Sequence, residues 1–190
     1  MDILQKMQMK LLRKGVNEEY LKKLMEPTDF LYNIRMLTYE SAVAAGLLKY
    51  PMLLVDELSF QRKTTSIFII HSDYIKVKKF CLNDDIYRKR ILSVALYSGF
   101  LCALKWLDKS GDSEEISCLD CIVSGCNENK AESMLCKKYG EDTFTKFLND
   151  LLDLVVCKIN SYQSKDIERN TIHSLSALFQ LGATLAVYET

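Results

Sequence analysis

Apolar positions recur every three or four residues along almost the whole chain, the spacing that gathers them on one face of an α-helix. Ile3, Leu4, Met7, Leu11 and Leu12 form a first stripe, with Gly15 following as a C-cap. Asn17 caps a short second helix carrying Tyr20, Leu21 and Leu24. That helix stops before Pro27, because the residue ahead of a proline is pushed out of the α region. Thr28 or Asp29 opens a longer helix through Phe30, Ile34, Leu37, Tyr39, Ala42 and Leu47, closed near Pro51. The run Ser66 to Ile70 is β-branched and short enough for a buried strand, but no partner strand stands nearby, so the stretch 64–80 is read as a buried helix.

The second half patterns more cleanly. Asp84 or Asp85 caps a helix reaching about Lys109, whose stripe Ile91, Val94, Ala95, Ser98, Gly99 and Cys102 is apolar and small. Small residues allow close approach of neighbouring helices, so this helix is expected at the centre of the fold. Lys109 to Ser113 is the clearest loop. Two short helices around the cysteines follow, punctuated by Gly125 and Gly140, then a helix from Thr143 to Tyr162 and a last one, capped by Ser164, through Ile172, Leu175, Leu178, Phe179 and Leu185. The last helix carries a narrow stripe, Ser174, Ala177, Leu178, Leu181, Gly182 and Leu185, expected to be buried in part against a second copy of the chain.

The fold expected is all-α, a single compact multi-helix bundle in which residues 1–109 form an N-terminal helical part and residues 110–190 a cysteine-containing C-terminal part of the same domain. A chain of 190 residues, 48% of them hydrophobic, can bury a full core, and 7 glycines with 2 prolines leave little material for the turns of a sandwich or barrel. Twenty-five basic and 25 acidic residues cancel, so no global field draws the chain to nucleic acid or anionic lipid, and any nucleic-acid site has to be a local patch. No stretch approaches the ~18 apolar residues of a membrane span, and the first twelve residues show no secretory pattern. A reducing, intracellular setting is therefore expected, with seven cysteines that need no disulfides.

Enzyme signatures are lacking: there is no Gly-rich phosphate loop, no nucleophile elbow and no zinc-protease helix, and His71 and His173 stand far apart. No catalytic activity is expected. Two other features carry candidate chemistry. Cys118, Cys121, Cys126 and Cys136 crowd into one stretch, where thiolates can converge on one tetrahedral zinc ion; the alternative is four small apolar core residues. Three basic clusters hold no acidic residue among them: Lys10, Arg13 and Lys14; Lys76, Lys78 and Lys79; and Arg88, Lys89 and Arg90. Each is either a solvated helix face or part of a phosphate grip. The last is the first choice, because a helix start adds its dipole to the cations and arginine binds phosphate with two donors.

The overall length, the arrangement of Cys118, Cys121, Cys126 and Cys136, and a final helix over Asp166 to Tyr188 together resemble the RNA-silencing suppressors encoded by criniviruses, within the closterovirus family of plant viruses. The resemblance implies a viral protein of the host cytoplasm or nucleus. It implies binding of double-stranded RNA, long or processed to small interfering duplexes, withholding it from the silencing machinery, and assembly into a homo-oligomer that turns a positive face inward. It also implies a host partner of the Skp1 adaptor type, met through a Pro-x-x-Leu core at Pro51 and Leu54 or, more loosely, Pro27 to Leu31; both prolines otherwise serve as helix terminators. The competing reading is a viral Bcl-2-like bundle that takes an amphipathic host helix in a surface groove, although Ser98-Gly99-Phe100 is a poor substitute for that family's helix signature.

Overall fold

The computed structural model describes residues 30–49, 84–108, 127–163 and 166–187, with Met9, Leu12, Arg13, Glu18 and Glu19 as isolated helical positions. Five helices make up this part: α1 (Phe30–Ala44), α2 (Asp85–Asp108), α3 (Glu128–Tyr139), α4 (Glu141–Asn160) and α5 (Ile167–Val187). Among the described residues there is no strand, and the helices from both sides of the 109/110 boundary share one apolar core. The protein is all-α. The expectations for residues 50–83 and for the loop at 109–113 fall outside the described residues.

Local chemistry sets the helix ends. Asp84 caps α2, its carboxylate accepting from the Ile86 amide at 2.9 Å. Asn127 caps α3 in the same manner through the Lys130 amide. Gly140, at φ +90°, stops α3 by donating to the Cys136 carbonyl, and its own carbonyl accepts from Phe144, so α4 starts with no intervening loop. Glu141 and Asp142 in the first turn of α4 favour its positive end. The expected closure of α1 near Pro51 is corrected: the helix ends at Ala44. Gly46 takes the left-handed conformation at φ +79°, and the paired bonds Gly46 N to Val43 O and Leu47 N to Ala42 O complete a Schellman stop.

Among the described residues α5 shares the centre of the bundle with α2, which also packs on α3 and α4 as its small-residue stripe led one to expect. From Asn170 to Ala186 every residue of α5 is buried except the half-buried His173, and α2, α1 and α4 all pack on it. The contact with α2 runs antiparallel and brings backbone against backbone: a Cβ at Gly182 would lie 1.9 Å from the Leu96 carbonyl oxygen, and one at Gly99 would lie 2.0 Å from that of Phe179. α1 runs in the same direction as α5, joined by Tyr39 Oη to Thr184 Oγ1 at 3.1 Å near one end and by the Phe30 ring close to His173 and edge-on to Tyr162 near the other.

The interior is unusually polar for a helical core. Thr171, Ser174 and Thr184 are satisfied by donating to the carbonyl four residues back, a bond available only to short hydroxyl side chains. Gln180 has no such recourse. It is 1% exposed, and neither its amide nitrogen nor its amide oxygen finds a partner among the described residues.

The expected subunit-contact stripe on the last helix is overturned. Ser174, Ala177, Leu178, Leu181, Gly182 and Leu185 are all buried within the chain itself, leaving nothing of that stripe for a second copy. Among the described residues no helix is long and apolar enough to cross a membrane.

Candidate functional site: the basic start of α2

The three cations at the start of α2 have three different environments. Arg88 is 3% exposed and turned inward, its Nη2 donating to Asp85 on its own helix and, at 2.9 Å, to the Asn160 side-chain oxygen at the end of α4. The Asn160 amide in turn donates to both Asp85 oxygens at 3.2 and 3.3 Å, closing a three-membered network that fastens the start of α2 to the end of α4. A guanidinium held so is a structural tie, and its assignment as a phosphate ligand is corrected: releasing it would leave a buried charge without compensation.

Lys89 pairs with Asp153 of α4, both side chains more than a third exposed. Arg90 is exposed, and no acidic side chain among the described residues pairs with it. Two of the three charges are thus neutralised, Arg88 by Asp85 of its own helix and Lys89 by Asp153, which the antiparallel packing of α2 on α4 sets against it. The Asp85–Arg88 spacing was legible, but Asn160 and Asp153 lie more than sixty positions downstream, where no local pattern announces them.

Of the first basic cluster, Arg13 is exposed, while Lys10 and Lys14 lie outside the described residues, as do Lys76, Lys78 and Lys79.

Cys136 is half-buried near the end of α3, and Cys118, Cys121 and Cys126 lie outside the described residues. Burial pushes the Cys136 thiol up, with Glu132 and Glu141 adding to the rise and a hydrogen bond with Thr145 opposing it. Among the described residues no group of three or more His, Cys, Asp or Glu side chains converges as a metal site requires. Pro51 and Leu54 lie outside the described residues, and His173 is a half-buried neighbour of Phe30.

Two functional-looking lysines were not singled out by sequence reasoning. Lys138 reaches across to α5, donating to the Leu185 carbonyl at 2.8 Å over the rings of Phe100 and Tyr139, so it satisfies one carbonyl of that helix's last turn. Lys158 is buried, and desolvation pulls its ammonium below the ordinary lysine value. Its burial carried no signal in the sequence. Comparison of the chain with protein-family models, with curated proteins and with solved structures finds no match.

Proposed function

We propose that this protein is a non-catalytic helical binder of double-stranded RNA that suppresses RNA silencing by sequestering duplexes. The single observation that supports the reading is Arg90: an exposed arginine in the second turn of α2, next in the chain to the partly exposed Lys89. Arg88 is no part of this grip; it holds the helix that presents Arg90. The homo-oligomer that the family resemblance implies has to use a surface other than the buried stripe of α5.

The test is fluorescence anisotropy of a labelled 21-base-pair RNA across salt concentrations. Duplex binding should fall linearly on logarithmic axes as salt rises, and Arg90→Glu should lower the slope by about one unit or more, since each lost phosphate contact removes roughly that much. No salt-dependent binding, or an Arg90→Glu slope equal to wild type, would refute the assignment.

One observation favours a second reading, the Bcl-2-like bundle: α5 is a helix buried on all sides and surrounded by α1, α2 and α4. That reading requires capture of an amphipathic helix with no RNA binding at all, so the same titration separates the two.

A further inference from the structure

The ion pair between Lys89 and Asp153 differs in kind from its neighbour. Arg88 is locked, because its guanidinium is buried and shares two partners with each other's help. Lys89 and Asp153 are 39% and 36% exposed, so water reaches both and the pair can open without burying or stranding a charge. Such a pair contributes little to stability. Asp153 also comes from α4, not from α2, so only the packing of the two helices places it against Lys89. It occupies the cation that precedes the exposed Arg90 in the chain, the other partly exposed charge at the start of α2.

We infer that Asp153 is an internal competitor for phosphate, a carboxylate held against Lys89 that keeps this cation out of the RNA grip until it is removed or displaced. The inference rests on the duplex-RNA reading above and adds a regulating residue to it. A phosphate row must exchange one anionic partner of Lys89 for another. The exchange is close to neutral in charge, and it sets a threshold on affinity that Arg90, with no such competitor among the described residues, does not carry.

The experiment is a four-way comparison of wild type, Asp153→Asn, Lys89→Gln and the double variant, each titrated with the same labelled duplex RNA at several salt concentrations. Asp153→Asn should bind up to about fivefold more tightly, the factor by which a surface pair of this exposure shifts an equilibrium, with a salt slope steeper by just under one unit as Lys89 gains a phosphate contact. The gain should vanish in the Lys89→Gln background; a gain that persists there is a general effect of removing negative charge and overturns the inference. Binding by wild type that Asp153→Asn leaves unchanged overturns the inference alone and spares the RNA reading. Absence of binding by both overturns the two together. Thermal unfolding of each variant supplies a check on the fold, since loss of an exposed pair should move the midpoint by no more than a few degrees.

Discussion

The backbone contact between α2 and α5 makes Gly182 the position at which one carbon atom should do the most damage. In Gly182→Ala the new Cβ would stand 1.9 Å from the Leu96 oxygen, 2.9 Å from its carbonyl carbon and 3.0 Å from the Phe100 nitrogen. All three are main-chain atoms, so no rotamer change relieves the clash, and α2 as a whole must retreat by more than about 1 Å to restore van der Waals distance. That retreat also opens the reciprocal contact of Gly99 with Phe179 and loosens Leu96, Phe100, Leu178 and Leu185, all fully buried. Overpacking typically costs ~1–3 kcal/mol, and with backbone on both sides about 4 is expected; alanine's better helix propensity returns about 1, leaving a net loss near 3 kcal/mol. For a chain of 190 residues this lowers the melting temperature by roughly 6–12 °C. Circular dichroism at 222 nm under heat and under urea measures it. Gly99→Ala should cost a similar amount, and the double variant less than the sum, because one separation of the helices accommodates both side chains. A Gly182→Ala protein as stable as wild type, or about 1 kcal/mol more stable as propensity alone would have it, refutes the close-approach account.

Three further outcomes are expected. Gln180→Met, which keeps the length of the side chain and removes two buried polar atoms that lack partners among the described residues, should raise stability by about 1 kcal/mol in urea unfolding; a loss of that size would mean that the amide is satisfied in solution. Glu40 is buried, and desolvation holds its carboxyl above the ordinary value of 4.5, so the folded protein retains a proton that the unfolded chain gives up. The penalty is absent below pH 4.5 and grows as pH rises through the folded value, so Glu40→Gln should stabilise at pH 7–8 and lose its advantage in acid; a benefit independent of pH contradicts this. Arg88→Ala should destabilise by about 2 kcal/mol, less than a fully buried pair because Asp85 is half exposed, while leaving the salt slope of RNA binding at the wild-type value.

The parts of the fold legible in the sequence are those decided within one turn of helix. Asp84 and Gly140 mark helix ends through bonds to residues two to four positions away, and these boundaries match the pattern to within a residue or two; Asn127 is as local a cap and was not singled out. Gly46 is equally local but was passed over for Pro51, since both are stop signals and only backbone geometry ranks them. What could not be read depends on partners distant in the chain. Small residues on α2 signal a close helix contact correctly, yet Gly99 does not say whether its own helix or the opposing one is surrounded. The charge of Arg88 is visible, whereas the hydrogen bond that fixes it to Asn160, 72 positions later, is not. Lys138 looks like any solvated lysine until α5 ends beneath it.

The order of the helices along the chain has a bearing on how the protein is made. α1, α2 and α4 each bury a face on α5, and α5 comes after all of them. A nascent chain that has emerged from the ribosome only as far as Asn160 therefore carries three apolar surfaces without the described helix that covers them, and those surfaces stay open to chaperones and proteases until residues 167–187 follow. Ribosome-stalled intermediates ending before and after α5 should differ sharply in protease resistance, with protection arriving in one step when the central helix clears the exit tunnel.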